Sequence, residues 1–417
     1  MILFSHPTGN ANVRHAALAL RRSHLLSEFW TCVHFPSRSA LASFLPRRLH
    51  RQLQRRGHPV ELEPYLRTSP VREVLRLIAP RAGLSRLVRH ETGLLSVDAV
   101  YRSLDLTVSR RVRQRGFHAV YAYEDGAAET FRTAVGLGKL AFYDLPIGYW
   151  RAARAILGEE AERQPDWAST LNGNRDSAEK TARKDEELSL ASVVFVASSF
   201  TRRTLESAPE FHAPVAVVPY GAPAVPAPVE RPLADATPVL RVLFVGSLGQ
   251  RKGLSYLFDA CRRLGPTVRL TVIGARPQED CPALDRELAA VRWVSSAPHD
   301  RILAEMAAHD VFVFPSLFEG FGLVLLEAMA MGLPIITTAH TAGPDLIDEG
   351  RQGFIVPIRD ADAIADKLDL LQRNPALRRS MGREASLRAR EFTWEAYEAR
   401  LASCIRTALA DPLRIDA

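Results

Sequence analysis

Residues 319–327 read EGFGLVLLE, two carboxylates that bracket a glycine-containing turn and an apolar run. The apolar residues 311–314 just before this stretch are ended by a proline and predict a buried strand. The apolar run after it predicts a helix that continues until Gly332. A strand, a glycine loop and a helix in this order indicate a parallel α/β unit. A helix that begins near Gly322 leaves backbone N–H groups free to bind an anion.

Glu327 is an acidic residue within the apolar helix, four positions after Leu323 and on nearly the same face. A carboxylate in apolar surroundings is costly to bury unless it is paired or hydrogen-bonded. The hydroxyl groups of a nucleotide ribose would satisfy it, and a salt bridge to a core arginine is the alternative. Glu319 lies in the loop, from which it can reach the far end of the same ligand.

Strand-like and helix-like segments alternate along the whole chain, which predicts βαβ units and parallel sheets. Strands are predicted at residues 1–5, 29–35, 119–123, 140–143, 192–197, 215–219, 239–245, 269–273, 311–314, 334–338 and 354–356. Helices are predicted at residues 12–28, 254–264 and 301–308, and from residue 360 to the end.

A chain of 417 residues favours two domains over one core. Six prolines between residues 219 and 238 predict a stiff linker at 222–238. The linker separates a first domain, residues 1–221, from a second, residues 239–394. Two parallel sheets joined in this way form a cleft at the carboxyl ends of their strands, where ligands bind.

The cysteines and the charge of the chain indicate where the protein acts and what it contacts. The four cysteines are far apart and match no metal or redox spacing, and neither a signal peptide nor a membrane span is evident, so a cytoplasmic protein is expected. Residues 1–116 contain 20 arginines and 7 acidic residues, a net charge of +13. This basic region indicates contact with anionic lipid or a phosphorylated acceptor, nucleic-acid binding, or solvated helix surfaces. No RNA-binding motif or zinc finger supports nucleic acid as a partner.

A second glycine-rich loop, residues 246–253, reads GSLGQRKG directly after a predicted strand. Its glycine spacing is not that of a Rossmann fingerprint, and it lacks the GK[ST] of a Walker loop. The adjacent cations Arg251 and Lys252 indicate a phosphate or pyrophosphate site. Two solvated charges that cap a turn are the alternative.

Taken together, these motifs resemble the retaining GT-B glycosyltransferases of the glycosyltransferase 4 family (glycosyl transferases group 1). The resemblance extends over most of the second domain and includes the loops at 246–253 and 315–334 and the segments at 342–347 and 353–354. It implies an α/β fold of the GT-B type, with two Rossmann-like parallel domains that face each other across a cleft. Residues 392–394 resemble the point where a final helix, 395–417, crosses back to the first domain.

The resemblance also implies roles for individual residues. Arg251 and Lys252 would neutralise the donor diphosphate, Glu327 would hold the ribose, and Glu319 would contact the transferred sugar. Arg251, Lys252, Glu319 and Asp144 are the candidate catalytic residues. The candidate donor-binding residues are Gly9, Asn10, Gly246, Ser247, Arg251, Lys252, Glu319, Gly320, Phe321, Gly322, Leu323, Val324 and Glu327.

The first domain departs from the family pattern at two points. Gly9 and Asn10 stand where the family has a pair of glycines after its first strand. Asp144 matches the acidic position of a His-Asp pair whose histidine is replaced here by Tyr143, and it is a candidate for contacting the sugar or the acceptor hydroxyl. Residues 124–126, which read EDG, supply a second acidic pair. Turn capping is the alternative for both.

The resulting hypothesis is a retaining glycosyltransferase that transfers a sugar from a nucleotide-diphosphate sugar to a hydroxyl of a glycan or lipid-linked acceptor. It is expected to need neither metal nor cofactor, because fixed cations and helix-end dipoles stabilise the leaving group. Residues 360–362, which read DAD, are expected to cap a helix rather than bind a metal. Peripheral contact with an anionic membrane, at the inner face of the cytoplasmic membrane, is a further expectation. A GT-B nucleotide-sugar epimerase and a non-catalytic sugar-nucleotide-binding scaffold are the alternatives.

Overall fold

The computed structural model describes residues 1–35, 56–114, 116–171, 176–222 and 239–414. In this part of the chain seven strands form the first sheet, in the order β3-β2-β1-β4-β5-β6-β7, and each neighbouring pair is parallel. The strands are β1 (Ile2–Ser5), β2 (Leu26–Thr31), β3 (Leu66–Thr68), β4 (Ala119–Tyr123), β5 (Leu140–Leu145), β6 (Val193–Val196) and β7 (Val215–Val217).

Six further strands form a second parallel sheet, in the order β10-β9-β8-β11-β12-β13. They are β8 (Leu240–Val245), β9 (Val268–Ile273), β10 (Arg292–Val294), β11 (Val311–Phe314), β12 (Ile335–Thr338) and β13 (Gly353–Val356). Strand order reverses direction at the β1/β4 pair in the first sheet and at the β8/β11 pair in the second. A crevice opens at the carboxyl ends of such pairs in α/β sheets.

Helices cover the sheets and connect their strands. Those of the first domain are α1 (Ala11–Arg22), α2 (Val71–Ile78), α3 (Val97–Val112), α4 (Ala128–Gly136), α5 (Trp150–Arg163), α6 (Ala178–Ser189) and α7 (Ser199–Thr204). The remainder are α8 (Leu254–Leu264), α9 (Pro282–Ala290), α10 (His299–Ala308), α11 (Leu323–Ala330), α12 (Gly343–Leu346), α13 (Ala361–Arg373), α14 (Pro375–Ala389) and α15 (Trp394–Ala410). None of the described helices is long and apolar enough to cross a membrane.

The central strands of both sheets are buried on both faces, as parallel strands between helical layers should be. In the first sheet Phe4 and Tyr121 stack with ring centroids 5.1 Å apart. In the second sheet Phe244 and Phe314 stack at 5.9 Å. These aromatic layers support the strand ends from which the functional loops emerge.

The predicted helix at residues 12–28 is wrong in its last six residues. Helix α1 ends at Arg22, and β2 begins at Leu26, so the predicted strand at 29–35 starts too late and ends too late. The chain turns at His24, which adopts a left-handed backbone with φ of 57°. The N–H of Leu25 donates to the carbonyl of Leu20 at 2.8 Å, and this contact ends the helix.

Helix α15 packs on α1, which confirms the predicted return of the last helix to the first domain. The ring of His15 stacks on Trp394 at 4.1 Å, and His15 Nδ1 lies 2.7 Å from Glu398. Arg22 Nη1 donates to the same carboxylate at 2.5 Å. Of the predicted linker at 222–238, all but the first residue lies outside the described residues.

Candidate functional site

The glycine-rich loops identified in the sequence follow the strands at the points where the strand order reverses. Residues 246–253 follow β8 and residues 315–322 follow β11. In the first sheet, residues 6–10 follow β1 and residues 124–126 follow β4. All four loops therefore lie in the crevices where a parallel sheet binds ligands.

A pocket of about 460 Å³ lies between the two sheets. Its first-domain wall is formed by Glu124, Ile147, Gly148, Trp150, Ala153, Leu157, Thr170, Asp176 and Lys184. Its second-domain wall is formed by Ser247, Leu248, Gly249, Arg251, Lys252, Ala275, Arg276, Pro277 and Phe318. Of the predicted site residues, Ser247, Arg251 and Lys252 line this pocket directly.

Arg251 and Lys252 point their charges at Glu319. Lys252 Nζ forms an ion pair with the Glu319 carboxylate, and Arg251 Nη1 lies 3.2 Å from the same Oε2. Arg251 Nη1 also donates to the carbonyl of Phe318 at 2.6 Å. Burial lowers the pKa of Lys252, and the neighbouring Arg251 lowers it further. The buried Lys252 and the half-buried Arg251 share one carboxylate, so a bound anion would relieve this unfavourable charge.

The loop before α11 presents backbone donors next to this pair of cations. Gly322 is the N-cap of α11 and has φ of +84°, a conformation that favours glycine. No side chain caps the helix, so the first N–H groups, at Leu323 and Val324, are not bonded by an N-cap side chain. An N-terminus of this kind attracts phosphate groups.

Glu327 is largely buried on α11, and burial raises its pKa. Among the described residues its ion-pair contact is with the side chain of His299, whose Nδ1 lies 3.9 Å from Oε1. The alternative of a salt bridge to a core arginine is therefore not seen in the described structure. The predicted contact with a ribose stays a prediction.

The loop that contains Glu319 is tightly held against the first domain. The carbonyl of Gly320 accepts hydrogen bonds from Ser198 Oγ at 2.5 Å and from Thr201 Oγ1 at 2.8 Å. A Cβ added at Gly320 would lie 2.0 Å from the carbonyl oxygen of Pro146. Gly320 and the buried Phe321 thus fix the position of the loop rather than line the pocket.

A buried network around Glu160 joins the two domains beside the pocket. Glu160 accepts hydrogen bonds from Gln250 Nε2 and from Arg359 Nε, each at 2.7 Å. The N–H of Gln250 donates to Thr170 Oγ1 at 2.9 Å. Because Gln250 precedes Arg251, these contacts set the position of the cationic loop.

Asp144 does not line the pocket. Its carboxylate is buried in the first sheet and accepts a hydrogen bond from Tyr121 OH at 2.6 Å. Burial raises the pKa of Asp144 to about 7. This placement argues against a direct contact with a sugar.

The two predicted residues after β1 have structural contacts. The side chain of Asn10 caps α1 by accepting a hydrogen bond from the N–H of Val13, and Gly9 packs on His58.

Glu124, by contrast, lines the pocket opposite the cationic loop. Its side chain is 9% exposed, and Oε2 lies 3.4 Å from Lys184 Nζ. Oε1 is buried and has no hydrogen-bond partner among the described residues. Burial raises the pKa of Glu124 to about 7, against the lowering effect of Lys184. The next residue, Asp125, has φ of +71°, a strained conformation of the kind found at functional sites.

Acidic residues that resemble metal ligands have other roles here. Asp360 caps α13 by accepting from the N–H of Ala363 at 2.8 Å, and Asp362 pairs with Arg263. In the described part of the chain, His90, Glu91 and Asp176 place one ligand atom each within 4.8 Å of one another. Asp176 is already paired with Lys180 and Lys184, which balance its charge.

Several pocket residues were not predicted from the sequence, among them Trp150, Thr170 and Arg276. Thr170 lies in a turn, Trp150 begins α5, and Arg276 follows β9. A signal was present for Arg276, because Gly274 and the residues after it follow a buried strand as the other loops do. Trp150 and Thr170 carry no local pattern that distinguishes them.

Residues 232–388 match the family model of the glycosyl transferases group 1. The match spans β8 through most of α14, the part of the chain in which the motifs resemble this family. The chain is 30% identical over 189 residues to a putative colanic acid biosynthesis glycosyltransferase, WcaL, of Salmonella typhimurium, a match that covers 40% of this chain and 45% of that protein. It is 33% identical over 167 residues to the D-inositol 3-phosphate glycosyltransferase of Corynebacterium jeikeium, covering 37% and 40%. The chain thus matches less than half the length of these curated relatives.

Solved structures are similar over nearly the whole chain and show the fold. A sucrose-phosphate synthase from Thermosynechococcus elongatus aligns with a TM-score of 0.66 and 19% identity, covering 98% of this chain and 99% of that one. Anabaena Alr3699/HepE in complex with UDP-glucose aligns with a TM-score of 0.59 and 16% identity, covering 97% and 99%. The predicted GT-B architecture of two Rossmann-like domains is confirmed.

Proposed function

We propose that this protein is a retaining glycosyltransferase of the glycosyltransferase 4 type that uses a nucleotide-diphosphate sugar as donor. The observation that carries the proposal is the pair of cations Arg251 and Lys252, half-buried and buried, which lines the pocket beside the group 1 motif around Glu319. A diphosphate is the natural ligand for two fixed cations and a helix N-terminus. The relatives named as glycosyltransferases support the same class of reaction.

In this proposal the second domain stabilises the departing nucleotide. Negative charge develops on the diphosphate as the glycosidic bond breaks, and Arg251 and Lys252 stabilise that charge because they are fixed before the reaction begins. The N–H groups of Leu323 and Val324 add donors at the start of α11. Glu319 turns from the two cations to the hydroxyls of the transferred sugar, and Glu327 binds the ribose. No metal or cofactor is needed for these steps.

The acceptor binds on the first-domain wall of the pocket. Glu124 supports this assignment, because it lines the pocket on the first-domain side and its carboxylate can accept a hydrogen bond from an acceptor hydroxyl that enters there. We place the hydroxyl on a glycan or a lipid-linked sugar, in line with the relative named for colanic acid biosynthesis. Action in the cytoplasm, with peripheral contact at an anionic membrane, is part of the same proposal.

The test is donor turnover in the presence of a chelator. UDP-, GDP-, ADP- and TDP-sugars are incubated with the protein and candidate glycan acceptors, and nucleotide release is measured. Nuclear magnetic resonance of the product then gives the anomeric configuration. A product with the donor's configuration supports the proposal, and an inverted product contradicts the retaining mechanism. Conversion of the donor sugar without an acceptor would instead identify an epimerase, and binding without turnover a scaffold.

A further inference from the structure

Helix α2 exposes an apolar face on the first domain. Val71, Leu75 and Ile78 are 69%, 48% and 53% exposed, and with Val74 they recur at the spacing that places side chains on one face of a helix. Glu73, on the other side of the helix, is almost completely buried. The apolar stripe therefore faces away from the domain rather than into its core.

The segment from residue 71 to residue 97 is rich in exposed apolar residues. The described structure has fifteen large apolar residues that are exposed, and seven of them lie in these 27 positions. Arg72 Nη1 donates to the carbonyl of Leu94 at 3.0 Å and so holds this residue, which is 72% exposed, next to the helix. We call Val71, Val74, Leu75, Ile78 and Leu94 the α2 surface. A cluster of this kind marks an interaction site more often than scattered apolar residues do.

The charges around the α2 surface are almost all positive. Residues 66–97 contain six arginines and two acidic residues. Of the two carboxylates, Glu73 is buried and bonded by Arg56 and Arg76, so it does not offset the exposed arginines. Arg86 and Arg89 are both exposed. A partner for this surface must therefore be apolar and anionic at once.

The α2 surface lies at the end of the first domain where the cleft opens. Edge strand β3 leads into α2 through two residues, and all strands of this sheet are parallel. Helix α2 thus starts at the carboxyl edge of the sheet, the edge at which the pocket opens. A surface bound by α2 would lie beside the rim of the cleft.

We propose that the α2 surface docks on an anionic lipid bilayer, with its apolar stripe inserted at the level of the headgroups and its arginines paired with lipid phosphates. A second copy of this chain fits less well, because a twofold contact would bring the arginines of both copies together. The proposed function includes contact with an anionic membrane, and the α2 surface names where that contact is made. Transfer to a lipid-linked acceptor rests on the rest of the proposed function, and the docking does not.

The experiment is vesicle co-sedimentation with the full chain. Vesicles of phosphatidylcholine alone are compared with vesicles of phosphatidylcholine and phosphatidylglycerol, at low and at high salt. One variant combines Val71→Ser, Leu75→Ser and Ile78→Ser, and a second combines Arg86→Gln and Arg89→Gln. The matched control combines Leu370→Ser and Leu387→Ser, which are exposed apolar residues on helices α13 and α14. Circular dichroism and a nucleotide thermal shift are recorded on each sample.

The wild type and the control should bind anionic vesicles and release them at high salt. Each α2-surface variant should lose about tenfold or more in partitioning, while circular dichroism and the nucleotide shift stay unchanged. Absence of wild-type binding to anionic vesicles, or equal binding by the triple serine variant, overturns the proposal. Dimerisation that the triple variant abolishes, without vesicle binding, assigns the surface to a second copy instead. A missing nucleotide shift with intact vesicle binding contradicts only the proposed function.

Discussion

Lys252, in the loop after β8, forms an ion pair with Glu319, in the loop after β11, and the pair spans the point where the strand order of the second sheet reverses. Both side chains are mostly buried, at 9% and 14% exposure. Glu319 therefore occupies the charge that the donor diphosphate is proposed to take. Under the proposed function, donor binding is an exchange of one anion for another.

Replacing Lys252 by alanine removes one of the two cations that stabilise the leaving nucleotide. We expect Lys252→Ala to lower donor turnover by about 100-fold or more, because a fixed charge at a transition state contributes several kcal/mol. Initial rates of nucleotide release measure the effect. Lys367→Ala, on helix α13 away from the pocket, is the control and should keep wild-type turnover. A Lys252→Ala variant as active as the wild type would remove this residue from the mechanism.

Changing Glu319 to glutamine should separate binding from transfer. The two cations lose their internal partner, so affinity for the nucleoside diphosphate should rise by about tenfold or more, the effect of one nearby charge in partly solvated protein. Turnover of the full sugar nucleotide should fall, because the sugar loses its carboxylate contact. Calorimetric titration measures the affinity for the diphosphate, and initial rates measure turnover of the sugar nucleotide. Weaker diphosphate binding by Glu319→Gln would contradict the exchange of anions.

The activity should depend on pH through Glu124. Its pKa is raised to about 7 by burial, so the carboxylate is protonated below pH 7 and charged above it. An acceptor hydroxyl donates to the charged form, and turnover with saturating donor should therefore rise as the pH increases through 7. Glu124→Gln should lower turnover and remove this inflection while nucleotide affinity stays unchanged. An inflection that persists in Glu124→Gln would have to come from another group.

Gly320 fixes the Glu319 loop against the first domain. Its Cβ position lies 2.0 Å from the carbonyl oxygen of Pro146, so Gly320→Ala must push the two domains apart or distort the loop. We expect a loss of about 1 to 3 kcal/mol in unfolding free energy, as for overpacked sites, together with reduced turnover. Gly136→Ala is the matched control, since no atom lies within 4 Å of that Cβ position. Urea unfolding of both variants makes the comparison.

Most of the fold could be predicted from the sequence, because the buried strands of parallel α/β domains are short apolar runs. Glycines also mark the loops that follow these strands. The loops at 246–253 and 315–322 were identified for this reason. The boundary between α1 and β2 was not predicted. The chain turns there through the left-handed backbone of His24, and such a turn leaves no trace in the pattern of apolar residues. Strands β3 and β10 were not predicted, because each has three residues, one of them an arginine, and so forms no apolar run.

The candidate site was predictable on the side of the second domain and much less so on the first. Arg251 and Lys252 lie in a local motif, but the pairing of Glu124 with Lys184 joins residues from distant parts of the chain. Asp144 matched a pattern of one acidic residue after a strand. The structure instead gives it an internal role with Tyr121. Which of two such carboxylates faces a pocket depends on the packing of the sheet.

The central claim is that the pocket binds a nucleoside diphosphate through Arg251 and Lys252. The most direct test is a thermal-shift measurement with UDP, GDP, ADP and TDP in the presence of a chelator, on the wild type and on Lys252→Ala. The account predicts that one nucleotide raises the melting temperature of the wild type and that the variant loses most of this shift. No shift with any of the four nucleotides, or the same shift in Lys252→Ala, would contradict it.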